Sequence, residues 1–252
     1  MNAGNSVTNL ALVNNVDHRD LRVITERSAT YGDDVMFVTT FPFEFRSVQA
    51  FYPILFHRDA NGDLYPVALF GFKDGENLFL DDDGWHAHYV PAMIRRQPFL
   101  IGYQELRSRA MGQDDTAQAR MLSIDLDHPR VSRDTGEALF QPLGGRTPFL
   151  EEMASLLETI YEGYVHTRAF VNALEQNGLI ESVTFDITLN DGSRNQLLGF
   201  YTIEEEKVQQ LSAETLWSFS RQGFLMPLFM VLASTVNMRS LVEMKNRRLE
   251  GR

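Results

Sequence analysis

The chain has no cysteine among its 252 residues. That absence excludes disulfides, thiolate zinc sites and a cysteine nucleophile together, and it fits a reducing compartment. Basic charge is also short: 23 Lys and Arg stand against 34 Asp and Glu, a formal net charge of −11. Proteins that grip phosphate backbones concentrate basic residues on one face, so nucleic acid is not an expected partner. The first twenty residues have no basic n-region, and their apolar stretch is short and broken by Asn, unlike a secretory signal. The most apolar window, Phe224–Val231, falls well below the roughly 20 residues that span a bilayer. The expectation is therefore a cytoplasmic chain without membrane insertion, with surface association by another route as the alternative. Also missing are a G-x-S-x-G elbow, a G-x-G-x-x-G loop and Walker spacing, which disfavours serine hydrolase and nucleotide-binding chemistry.

What the chain does have is apolar residues enough for a core: 44% of the sequence, with 18 Phe and 8 Tyr. The stretch from Phe41 to Gln104 is the most distinctive. Apolar runs at Phe51–Phe56, Val67–Phe72 and Asn77–Leu80 are separated by turns at Asn61-Gly62-Asp63 and Asp74-Gly75. Short aromatic runs punctuated by Asn-Gly and Asp-Gly predict an antiparallel meander, with Phe51–His57 and Leu64–Phe72 as its first hairpin. Pro53 and Pro66 cannot donate to a ladder and belong at an edge, a strand start or a bulge. Polar residues Glu105–Ala119 read as a surface loop, and Met121–Leu126 as a further strand.

The pattern changes near residue 146. Thr147 suits an N-cap, Pro148 the first helical position, and apolar residues recur at helical spacing from Phe149 to Leu174 before Gly178 closes the element. A hairpin follows about Asn190-Asp191-Gly192-Ser193. Next come a helix over Glu204–Leu211, a second capped by Ser212, and a last one running from Met226 to Arg248. The fold class expected is α+β: an N-terminal β-rich meander (about 18–145) followed by a helical part with one inserted hairpin (about 146–248), in a single domain.

The order of several short motifs resembles the bacterial SapC family. These are Phe51-Tyr52-Pro53-Ile54-Leu55-Phe56, Pro66-Val67-Ala68-Leu69, Gly75-Glu76-Asn77-Leu78-Phe79-Leu80 and Tyr89-Val90-Pro91-Ala92 with Arg95-Arg96-Gln97-Pro98-Phe99. Gly136-Glu137-Ala138-Leu139-Phe140, Gly199-Phe200-Tyr201 and the closing helical segment continue the likeness, which covers roughly residues 18 to 242. The resemblance implies a SapC-like accessory protein linked to cell-surface (S-layer) or peptide-related processes. It carries over no catalytic residue.

Candidate site residues come from local pattern. His86-Ala87-His88 on a strand would place two imidazoles on one face, and with Asp81, Asp82, Asp83, His57 or the Asp125/Asp127/His128 cluster they are the candidate ligands of a divalent transition metal. The plainer reading is a polar turn, and no cofactor is otherwise implied. Asp59-Ala60-Asn61-Gly62-Asp63 opens like a calcium loop, but its glycine stands at the fourth position rather than the sixth, so an Asx turn is expected. Arg95 and Arg96 are candidates for recognising a carboxylate or other anion, against ion pairing with the Asp81–Asp83 run. Among the dense aromatics, expected mainly as core, Tyr52 and Trp85 are the candidates to face a ligand. The function that fits is a non-catalytic binding or structural protein whose partner is a protein, a peptide or a surface-polymer component. A metal-dependent enzyme centred on His86 and His88 is the alternative. The apolar circumference of the last helix is expected either to be core or to be shared with a second copy in a homodimer.

Overall fold

The computed structural model describes residues 9–107 and 116–251. In chain order the strands are β1 (Leu10–Leu12), β2 (Arg22–Val23), β3 (Phe37–Thr39), β4 (Ile54–Arg58), β5 (Leu64–Leu69), β6 (Leu80–Asp81), β7 (Gly84–Trp85), β8 (Phe99–Arg107), β9 (Thr116–Asp125), β10 (Val131–Ser132), β11 (Glu137–Ala138), β12 (Ile180–Thr188) and β13 (Arg194–Ile203). The helices are α1 (Phe45–Val48), α2 (Ala92–Arg95), α3 (Pro148–Gln176), α4 (Glu205–Gln209), α5 (Ala213–Arg221), α6 (Leu225–Ser234) and α7 (Asn237–Glu250). All strand pairs given by the ladder registers are antiparallel. Strands dominate the first half and helices the second, the α+β order that the sequence predicts.

The chain gathers into two compact units, each drawn from two stretches of sequence. The first takes the residues up to Tyr31 together with Arg96–Thr159. Its sheets run β1-β9-β8 and β10-β2-β11, over a core that includes Leu21, Val23, Phe99, Ile124, Leu139 and Leu150. Strands β8 and β9 occupy Glu105–Arg107 and Thr116–Ala119, so the expected Glu105–Ala119 loop is at most its middle, and that middle lies outside the described residues. The Arg130 side chain is fully buried and donates to the carbonyls of Ile24 (2.9 Å) and Glu26. One guanidinium thereby satisfies two acceptors that the β2 ladder does not reach. Thr147 caps α3 as expected, its Oγ1 accepting from the Leu150 N–H at 3.3 Å.

The second unit takes Gly32–Arg95 and the residues from Ile160 onward. Its five-stranded sheet has the order β12-β13-β4-β5-β3. The predicted first hairpin is there, in register from Ile54↔Ala68 to Arg58↔Leu64. Pro66 sits inside β5 rather than at its start, and the reason is visible in β3. The Pro66 carbonyl accepts from the Thr40 N–H at 3.0 Å, but proline has no N–H to return, so the β3 ladder stops at Thr39. The third predicted strand, Asn77–Leu80, is only a two-residue rung at Leu80–Asp81. Asn77 instead folds the backbone, its side chain accepting from the Phe79 N–H and donating to the Asp33 carbonyl.

The last predicted helix is two. At the junction Ser234 and Thr235 turn their hydroxyls back onto the carbonyls of Val231 and Leu232, which competes with the helical ladder. Ser234 Oγ also accepts from the Ile54 N–H at 2.8 Å, and Asn237 donates to the carbonyls of Gln49 and Tyr52. The junction therefore anchors the α1–β4 backbone. Taken as one run, Leu225–Glu250 is long and apolar enough by composition to cross a membrane, with a mean hydropathy of 1.5 over its most apolar window. That differs from the sequence expectation, which rested on the short window Phe224–Val231. Within the unit, Leu228, Val231 and Leu241 of this run are buried in the core.

Candidate functional site

The segment Phe41-Pro42-Phe43-Glu44-Phe45 places one carboxylate among aromatics. Phe41 and Phe45 are fully buried and carry Glu44 inward with them, to 3% exposure. Glu44 Oε1 accepts from Thr40 Oγ1 at 2.8 Å. Its Oε2 accepts from the Tyr89 hydroxyl at 2.7 Å and from the Ala92 N–H at 2.9 Å, the latter at the first residue of α2. Burial pushes the Glu44 carboxyl above its ordinary value, and the donors pull the other way without cancelling it.

A second chain of bonds meets the first at Tyr89. The Tyr52 hydroxyl donates to the Tyr89 carbonyl and accepts from Trp85 Nε1 at 2.8 Å. Burial pushes both phenols up, so each stays a neutral donor. The Trp85 ring meets Phe70 edge-on at 5.2 Å, and Tyr52 meets Phe79 at 4.6 Å. Two of the predicted site residues, Tyr52 and Trp85, are thus brought together, with Tyr52 fully buried and Trp85 half-buried. Glu44 and Tyr89 were missed. The legible signal was a lone acid between phenylalanines, where a charge is costly unless donors are aimed at it.

The remaining candidates disperse. His86 Nε2 lies 2.5 Å from Asp81 Oδ1, an exposed pair whose hydrogen bond holds the Asp81 carboxyl below its usual range. The His88 ring packs edge-on against Phe51 at 6.0 Å. The His57 ring stacks on Phe37 at 5.2 Å, and its Nδ1 lies 2.8 Å from the Arg58 carbonyl. In the first unit, His128 Nδ1 accepts from the Arg130 N–H. Among the described residues no three His, Asp or Glu side chains gather as a metal site requires. Arg95, half-buried, acts electrostatically on Tyr89, and Arg96 donates to the Phe99 carbonyl at 2.8 Å. The Asp59–Asp63 turn closes on itself, with Asp59 Oδ1 accepting from the N–H groups of Asn61 and Asp63, as an Asx turn does.

An open groove of about 410 Å³ lies between the last turns of α3 and the length of α5. Asn172 and Gln176 line it from α3, and Glu214, Ser218 and Gln222 from α5. Its floor is Ala173 with the buried Phe219. Gly178 (φ 65°) ends α3 by letting the Leu179 N–H reach back to the Leu174 carbonyl. Ser212 starts α5 by accepting from the Thr215 N–H at 3.1 Å. Nothing in the sequence reading marked this groove, because carboxamides on exposed helical turns look like ordinary solvated surface.

A family model described as SapC matches residues 13–241. No curated protein and no solved structure matches the chain.

Proposed function

The chain belongs to the SapC family, and from that premise we propose that it is a binding or structural accessory protein that performs no chemistry of its own on its partner. The observation that carries this reading is the use made of the polar groups in the aromatic cluster. Glu44, Tyr89, Tyr52 and Trp85 are bonded to one another and to nearby backbone. A carboxylate held by three donors anchors α2 and the Tyr89 segment rather than taking a proton from a substrate. The partner is a protein, a peptide or a surface-polymer component, in keeping with the cell-surface or peptide-related processes that the family resemblance implies. A second copy of the chain belongs to the same reading. Met226 and Phe229 on α6 and Val236 at the junction before α7 are 55%, 48% and 69% exposed, apolar side chains left for a partner surface.

The competing reading is a metal-dependent enzyme around His86 and His88. One experiment separates the two: the protein, purified without a histidine tag, is cross-linked in a lysate of its native cell and assayed in parallel for bound metal. The expected outcome is a partner recovered chemically unchanged, with less than about a tenth of an equivalent of transition metal bound. Stoichiometric metal lost on His86→Ala, or consumption of the captured partner by sub-stoichiometric protein, overturns the proposal.

A further inference from the structure

The groove between α3 and α5 has a lining that selects a class of ligand. No Lys or Arg is among its lining residues, and Glu214 is its one charged side chain. The negative end of α3 and the positive first turn of α5 both border it and oppose each other, so the Glu214 carboxylate decides the balance, disfavouring phosphates and carboxylates and favouring a cation. No exposed aromatic face lines it, since Phe219 is 2% exposed. A sugar ring would therefore find no stacking platform.

What the groove does offer is two rows of paired donors and acceptors. Asn172 and Gln176 stand one turn apart on α3, and Ser218 and Gln222 one turn apart on α5. Residues four apart on a helix are separated by about 6 Å along its axis. An extended chain presents its backbone amides to one side every second residue, at about 6.6 to 6.8 Å. Carboxamides carry both N–H donors and a carbonyl acceptor, the complement of a peptide group. Among the described residues neither the Asn172 nor the Gln176 side chain has a hydrogen-bond partner, while Gln222 Nε2 is oriented by Ser218 Oγ at 3.0 Å.

We propose that this groove binds an extended peptide segment carrying a basic side chain, its main chain read by Asn172, Gln176 and Gln222 and its cation by Glu214. The proposal rests on the reading of the chain as a binding protein and gives that reading a site.

The test uses the full chain and fluorescence anisotropy with three fluorescein-labelled probes: an alternating lysine–alanine octapeptide, its glutamate–alanine counterpart, and a neutral β-linked glucose oligosaccharide. Only the lysine–alanine peptide is expected to bind. Glu214→Gln weakens it about threefold, as for a solvent-exposed ion pair. Asn172→Ala with Gln176→Ala weakens it about tenfold or more, through lost hydrogen bonds. All these side chains are on exposed helical turns, and unchanged circular dichroism verifies that the variants fold. Non-specific attraction to a chain of net charge −11 leaves both variants at wild-type affinity, and that result overturns the proposal. So does binding of the oligosaccharide or the acidic peptide alone. If the groove variants still capture the native partner unchanged, the site is wrong and the binding function stands. If the partner is consumed, the functional reading itself falls.

Discussion

At the scale of single residues, Glu44 contributes a pH dependence to the second unit. Burial raises its carboxyl above the ordinary glutamate range, which means that the folded state prefers the protonated form more than the unfolded chain does. The stability linked to this group is therefore fully present below the unfolded value and is lost as pH rises from there through the raised folded value. Glu44→Gln keeps an acceptor for Tyr89 and Ala92 and presents its amide to the Thr40 hydroxyl, so it is expected to cost less than about 1 kcal/mol. In thermal melts from pH 4 to pH 8, the variant should lose less stability toward neutral pH than the parent does. Glu44→Ala strands three donors and is expected to cost about 3 kcal/mol at pH 4, and less toward neutral pH, where the parent has already lost the stability linked to Glu44. Equal slopes for parent and Glu44→Gln would remove Glu44 from the pH dependence. The acid between phenylalanines was legible but its donors were not, because they come from Thr40, Tyr89 and Ala92 and meet only when the meander closes. The Asx turn at Asp59–Asp63 was legible, because each of its bonds spans no more than four residues.

At the scale of elements, α7 fastens the loop that follows β5. Lys245 pairs with Glu76, both largely buried, and Arg248 donates to the Leu80 carbonyl. Glu76 also accepts from the Phe72 N–H at 3.0 Å, so its carboxylate has a partner on each side. Lys245→Met leaves that charge in a low-dielectric site without its counter-ion and is expected to cost about 3 kcal/mol by urea denaturation. Adding Glu76→Gln to Lys245→Met should recover more than half of the loss, because the double variant buries no unpaired charge. A double variant as unstable as the single would show that the pair serves packing alone. The caps of α3 and α5 could be read directly from Thr147-Pro148, Gly178 and Ser212, where composition and geometry coincide. The break between α6 and α7 could not. Ser234, Thr235 and Asn237 are tolerable within a helix, and what divides it there is a set of bonds to residues 49–54. Pro66 shows the same limit. Its effect on pairing was foreseen, but which neighbour would lose the ladder depended on the strand order.

At the scale of the whole molecule, the α+β class was legible because runs of period two and runs of period 3.6 occupy different halves of the chain. The assembly of each compact unit from two separate stretches was not, since nothing in a local window reports long-range partners. The exposed apolar positions of the α6–α7 run belong to this scale. Light scattering at micromolar concentration is expected to return twice the 28.8 kDa mass of one chain. Phe229→Glu should restore the single mass with unchanged circular dichroism. A parent that scatters as a single chain ends the homodimer reading.

The bonds joining Ser234 and Asn237 to the residues around Ile54 have a consequence in time. The Ile54 N–H waits for a hydroxyl 180 residues downstream, and the Gln49 carbonyl for an amide 188 residues downstream. A ribosome adding about 10 residues per second needs roughly 20 s to cover that distance. During that interval the most aromatic strands of the chain already exist and their covering helices do not. The nascent meander is thus an apolar surface without its lid, and the chain becomes safe from aggregation only once Ser234 and Asn237 have been added.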